Sequence, residues 1–142
     1  MTVNRASARY EGFGKEGKGS ITTKSGVLDK QPYGFGTRFE GLPGTNPEEL
    51  IAAAHAACFT MALSFGLARA GYAGDTLETS AAVTLDQVEG GFEISKSALT
   101  LTGKVPGISA EEFARIAKEA EMNCPVSKLL DCEISLEHSL EN

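Results

Sequence analysis

Three cysteines, a histidine one turn before the first of them, and an arginine among aromatic residues are the groups best placed for chemistry in this 142-residue chain. Cys124 stands directly before Pro125, a residue that favours the first position of a helix. As the N-cap of such a helix, its sulfur would face unpaired N–H groups and the positive end of a dipole, which favour thiolate. The same place also suits a buried cap with no chemistry at all. Cys132 shares its strand parity with Ile134 and Leu136 and reads as a small core hydrophobe. Cys58 is the difficult one. In mid-helix it gains nothing from a helix terminus, and burial by itself raises a thiol pKa and leaves the sulfur inert. A cation must be brought to it, and His55, a turn earlier, or Arg38 could supply a partner. On spacing alone Cys58 reads as a core cysteine. Zinc fits poorly, with no C-x-x-C pair and only two histidines, and no cofactor is expected.

The element that must position Cys58 is the stretch Asn46 to Gly71. Asn46 suits an N-cap, Pro47 the first helical position, and Glu49 the capping-box position three residues on. Leu50 to Ala68 then contains no charged side chain unless His55 is protonated, and Gly71 supplies a left-handed stop. The spacing predicts a rod of roughly 36 Å, apolar all round and therefore buried on all sides. The run reaches the lower length limit for a bilayer span. Its richness in Ala, the lack of a flanking basic cluster and the alternating patterns elsewhere favour a buried helix in a water-soluble fold.

Before this helix the chain is rich in glycine. Ser7–Tyr10, Ser20–Lys24 and a piece near Val27-Leu28 read as a small meander. Gln31 to Thr45 reads as an extended loop, interrupted by Pro32, Gly34, Gly36, Gly41, Pro43 and Gly44, yet it carries Tyr33, Phe35, Arg38 and Phe39. So many aromatic groups should pack onto something. After the helix, Leu77, Thr79, Ala81, Val83 and Leu85 alternate with polar residues as in a half-buried strand. Glu89-Gly90-Gly91 turns the chain, and a change of parity between Ile94 and Leu99 predicts a bulge near Ser97. Ser109 to Glu112 forms a second capping box, followed by Phe113, Ile116, Ala117 and Ala120 on one helical face. A short helix from Pro125 and a final strand through Ile134 and Leu136 complete an α+β pattern in one domain, residues 1–142.

Nineteen acidic against thirteen basic residues give a net charge of −6. No basic stripe exists to neutralise phosphates, so neither nucleic acid nor an anionic membrane is an expected partner. Met1 to Tyr10 has no apolar run of signal-peptide type, so a cytoplasmic location is expected. A structural disulfide is not expected there.

The ordered set Gln31-Pro32-Tyr33-Gly34-Phe35, Thr37-Arg38-Phe39-Glu40-Gly41, Gly44-Thr45-Asn46-Pro47-Glu48-Glu49-Leu50-Ile51, Ala53-Ala54-His55-Ala56-Ala57-Cys58-Phe59 and Cys124-Pro125-Val126-Ser127-Lys128 resembles the OsmC/Ohr family of bacterial thiol peroxidases. The Tyr-Gly-Phe…Thr-Arg-Phe loop resembles the OsmC branch. The resemblance implies an OsmC-like fold with antiparallel sheets around a long central helix. It implies peroxidase activity in which Cys58 is the peroxidatic cysteine and Cys124 the resolving one. Arg38 would stabilise the thiolate and Glu48 would hold Arg38; Cys132 matches nothing functional and His55 has no implied role. The Cys58 thiolate would take an oxygen from a hydroperoxide, and Cys124 would close a disulfide before over-oxidation. An external dithiol, of lipoyl type by resemblance, would restore both. Apolar groups such as Phe35, Phe39 and Met61 favour organic hydroperoxides over hydrogen peroxide.

Glu48 and Cys58 stand ten positions apart, about 15 Å along one helix. An arginine held by Glu48 would not easily reach the cysteine of its own helix. Two such helices crossing antiparallel near the small residues Ala52, Ala53, Ala54, Ala56 and Ala57 would solve this, which predicts an intertwined homodimer with composite sites. Two other functions compete: a redox-sensing module using the same disulfide without turnover, and a small-molecule binding protein with a structural cysteine pair.

Overall fold

A computed structural model describes Met1–Asn142 throughout. The chain divides into two compact units, Met1–Leu50 and Ile51–Asn142, with the boundary inside the long helix.

The first unit is built on an antiparallel sheet of strands β1 (Ala6–Glu11), β2 (Lys18–Thr23) and β3 (Gln31–Tyr33), in that spatial order. A 3₁₀ turn at Gly14–Glu16 joins the first two. The third strand is not at Val27-Leu28, which lies in a turn, but at Gln31–Tyr33. Pro32, opposite Ser20, is tolerated because β3 is an edge strand that needs no donor there. The loop that follows is not wholly irregular. A short helix, α1 (Phe35–Phe39), forms within it, because the Thr37 hydroxyl accepts from the Gly34 N–H at 2.9 Å and donates to the Gly34 carbonyl at 3.1 Å. Gly44 has φ +141°, and a Cβ there would meet the Pro32 carbonyl oxygen at 2.5 Å. No other residue lets the loop fold back so that the Thr45 N–H donates to Pro32 at 3.0 Å.

Helix α2 spans Pro47–Arg69. The Asn46 side chain accepts from the Glu49 N–H at 2.8 Å, as the capping pattern predicts. The Glu49 carboxylate does not complete the reciprocal box; it accepts from the Thr45 hydroxyl at 2.7 Å. At the other end Gly71 has φ +92°. The Gly71 N–H donates to Ala68 and the Tyr72 N–H to Leu67, both at 3.0 Å, a Schellman stop.

In the second unit, β4 (Thr76–Val88) and β5 (Gly91–Lys104) pair antiparallel and β6 (Glu133–Leu140) pairs with β5 in parallel. This sheet is therefore mixed, where antiparallel pairing alone was expected; β6 arrives after two helices, which permits the crossover a parallel neighbour needs. The bulge lies at Ser95, two residues before the expected place, since Thr84 faces Lys96 and Leu85 faces Ile94. It turns Ser97, Leu99 and Leu101 inward. Helices α3 (Ala110–Asn123) and α4 (Pro125–Leu129) follow β5. The Ser109 hydroxyl caps α3 by accepting from Glu112 at 3.1 Å.

The core gathers Phe59, Leu63 and Leu67 of α2, Leu99 and Leu101 of β5, and Phe113, Ile116, Ala117 and Ala120 of α3. Helix α2 is the one helix long and apolar enough to cross a membrane, and these core residues hold one of its faces in the protein interior. It is not buried on all sides within the chain. Ala53, Ala54, Ala57, Met61, Ser64, Phe65 and Ala68 are exposed, Met61 by 63% and Phe65 by 59%. Together with Leu77 and Thr79 of β4, part of that face lines an open groove of about 860 Å³.

Candidate active site

The structure forms two pairs from the four residues expected to act, one pair in each unit. In the first unit, Arg38 lies on α1 and Glu48 in the first turn of α2. The Arg38 Nε donates to both Glu48 oxygens at 3.1 Å, and Nη2 also donates to Oε1. The fork is the geometry in which a guanidinium holds a carboxylate most rigidly. The Glu48 side chain is 10% exposed and that of Arg38 34%, so the carboxylate is the anchor and the guanidinium keeps one free edge. The Asn46 amide donates to the Thr37 carbonyl at 3.3 Å, tying the α2 cap back to α1. The Arg38 guanidinium lies 5.4 Å from the Phe39 ring centre, and Phe39 is 5.1 Å from Phe35. Tyr10, Tyr33, Phe35, Arg38 and Phe39 line a pocket of about 350 Å³. Lys15 sits over the Phe35 ring at 5.0 Å.

In the second unit, Cys58 and Cys124 meet. All three cysteines are free, Cys124 fully buried and Cys58 partly so. Burial pushes the Cys58 thiol above its ordinary value, and its contact with the Cys124 thiol adds to the shift. A backbone hydrogen bond from Val126 pulls the other way. Val126 belongs to the first turn of α4, whose N–H groups have no partner within the helix. The helix terminus expected to serve Cys124 thus serves Cys58. Cys124 is the N-cap of α4, as its place before Pro125 predicts, yet its side chain makes no cap hydrogen bond. Cys132 is half-buried just ahead of β6.

Sequence reasoning offered His55 as a partner for Cys58; the structure instead gives its ring two serine hydroxyls. The ring is fully buried, with Nδ1 2.6 Å from the Ser97 hydroxyl and Nε2 2.8 Å from that of Ser127. Burial lowers its pKa, opposed by the charge of Glu121, so the ring is held neutral, with one nitrogen donating and the other accepting. Glu121 is itself buried and accepts from Lys118 at 2.9 Å. The one sequence signal was Ser97, a polar residue on the parity of Leu99 and Leu101. Ser127, 72 positions from its partner, stood out only as a member of the Cys124 to Lys128 stretch.

The fold and site define a class: an α+β protein in which a long helix carries one thiol to a second thiol on the following helix pair. Residues 39–139 match the family model described as OsmC-like protein, a span that includes Glu48, Cys58 and Cys124 and begins one residue after Arg38. The chain is 52% identical to the peroxiredoxin OsmC of Escherichia coli (strain K12) over 143 aligned residues, covering 100% of each chain. It is 35% identical over 111 residues to the organic hydroperoxide resistance protein OhrB of Bacillus subtilis (strain 168), covering 78% of this chain and 79% of that one. The crystal structure of B. subtilis OhrB is similar to it with a TM-score of 0.71 at 29% identity, over 99% of this chain and 98% of the other. This chain belongs to the OsmC-like protein family. Its higher identity to OsmC than to OhrB agrees with the branch that the Tyr33 to Phe39 loop resembles.

Proposed function

We infer that this protein is a thiol-dependent peroxidase that reduces organic hydroperoxides to alcohols at the expense of an external dithiol. The observation that carries this reading is the contact of two free thiols, one partly exposed and one sealed. That is what oxidation followed by internal resolution requires. Both relatives described above carry names of this kind, a peroxiredoxin and an organic hydroperoxide resistance protein.

The Cys58 thiolate attacks the distal oxygen of the peroxide and expels an alcohol, leaving a sulfenic acid. Cys124 then attacks that sulfur, forming the disulfide and releasing water, and a dithiol exchanges with it to restore both thiols. The Val126 N–H stabilises negative charge at Cys58, but burial outweighs it, so a full cation is needed. Arg38, held by Glu48, is that cation in this reading. It favours the thiolate and stabilises the oxygen charge that develops during attack. The aromatic pocket around Arg38 suits an apolar peroxide tail.

Glu48 stands about 15 Å up α2 from Cys58, and its fork keeps the Arg38 guanidinium at that end. Arg38 and Glu48 therefore act on the partner's Cys58 in a homodimer. The uncovered face of α2, with alanines at 53, 54 and 57, permits close approach by a second copy of the same helix. A single functional domain spanning both units and a cytoplasmic location, where both thiols stay reduced, belong to the same reading.

The test follows consumption of cumene hydroperoxide with a dithiol in wild type, Cys58→Ser and Cys124→Ser. Wild type turns over, Cys58→Ser falls by about 10³-fold or more, and Cys124→Ser forms a sulfenic acid that no internal thiol resolves, so a second peroxide carries it on to sulfinic acid. Stoichiometric oxidation of wild type without turnover would favour a redox sensor, and no peroxide consumption would leave a binding protein.

A further inference from the structure

Two side-chain contacts join α2 to the Cys124–Leu129 segment, beside the Val126 N–H on Cys58, and the chemistry above uses one of the two. Cys58 meets Cys124, and His55 meets Ser127 at 2.8 Å. His55 precedes Cys58 by one turn, and Ser127 follows Cys124 by the same interval. The contacts are therefore successive rungs between two segments that run in opposite directions. The His55 rung has a fixed back end, because its other nitrogen is held by Ser97 of β5 at 2.6 Å. All three residues are buried, and the backbone N–H of Val126, beside Ser127, is the one that reaches Cys58.

We propose that His55 is a positioning residue for disulfide closure: through Ser127 it holds the first turn of α4 so that Cys124 faces the oxidised Cys58 sulfur. This deepens the peroxidase reading and rests on it. In the step concerned the Cys124 sulfur attacks the Cys58 sulfenic sulfur, the S–S bond forms and the S–O bond breaks. The departing hydroxide takes the proton that Cys124 gives up and leaves as water. A disulfide requires sulfurs about 2.05 Å apart with a narrow torsion range. Free thiols in contact are farther apart than that, so α4 must approach along a defined path. The imidazole–hydroxyl rung sets that path, whereas peroxide attack on Cys58 feels it only through the Val126 N–H.

The test uses the full-length protein pulsed with cumene hydroperoxide, quenched with a thiol-alkylating reagent and read by intact mass. Sulfenic acid, disulfide and sulfinic acid are thereby separated in time. Ser127→Ala slows closure by about tenfold or more while the first oxidation stays within about twofold of wild type, the scale set by misplaced reacting atoms. More sulfinic acid then forms at a given peroxide excess, because the sulfenic acid waits longer. Ser127→Thr keeps the hydroxyl and restores closure. Ser97→Ala loosens the back of the ring but keeps the bond to α4, so closure slows less than in Ser127→Ala, by about threefold at most. The proposal is overturned by wild-type closure in Ser127→Ala. It is equally overturned if both serine variants slow closure alike, in proportion to lost thermal stability, which is what a merely structural bond would do. A wild-type protein whose Cys58 never oxidises removes the peroxidase reading instead, and this inference with it.

Discussion

Met1–Leu50 and Ile51–Asn142 hold their reactive residues by different means. The first unit fixes Arg38 with hydrogen bonds: a forked carboxylate, a threonine hydroxyl on the α1 backbone, and an amide tying the α2 cap to that helix. Its aromatic residues Phe35 and Phe39 remain 36% and 44% exposed. The second unit fixes its sulfurs by enclosure, with Cys124 in one cluster with Phe59, Leu63 and Phe113. Polar networks set direction and can be retuned one atom at a time, whereas packing sets position and resists any change of volume. On the proposed reading, the first unit tunes the reactivity of the thiols and the second holds them in place, and substitutions should separate the two.

The largest effect is expected from Phe59→Ala, which empties the core beside the thiols and should cost about 3–5 kcal/mol in urea unfolding. Equal stability in that variant would mean the thiol unit is not held by packing. Arg38→Ala should slow peroxide reaction by about 10²-fold, raise the apparent thiol pKa in a pH–rate series, and leave the second unit folded by near-ultraviolet spectroscopy. Arg38→Lys keeps the charge without the fork, so recovery should be partial. Full recovery would reduce the arginine's part to simple charge. Ala57→Glu, on the uncovered face of α2, should shift sedimentation toward monomer and slow peroxide reaction without loss of helix signal. An unchanged rate in a monomer would reject the composite site.

The smallest effect is on pH dependence of stability. Burial depresses the pKa of His55, so below about pH 6.5 the unfolded chain binds a proton that the native ring refuses. Its contribution is present above that pH and is lost as pH falls, with a slope of at most about 1.4 kcal/mol per pH unit. His55→Asn should flatten urea midpoints between neutral and mildly acid pH; an unchanged slope would show that the ring does not report on this enclosure.

Where structure was local, the residues announced it. Asn46, Gly71 and Ser109 cap and stop their helices as their types require, and β4 alternates as written. Pro32 argued against a strand because a central strand forbids it, and only the pairing order reveals an edge. Helix α1 escaped notice because Gly34 and Gly36 mask a turn that Thr37 closes with its own side chain. The parallel partner of β5 and the serines around His55 depend on contacts between residues far apart in sequence, which no local pattern encodes. The meeting of Cys58 with Cys124 and of Arg38 with Glu48 was reachable only through the family resemblance.

Cys124 is sealed from solvent while Cys58 is not. In the proposed cycle a crosslink between them would show the outside world a single sulfur, so an incoming reductant would have one atom to strike and Cys124 would be the group that departs. Such a cycle would acquire a direction in time, with the same residue first to be damaged and first to be touched during repair.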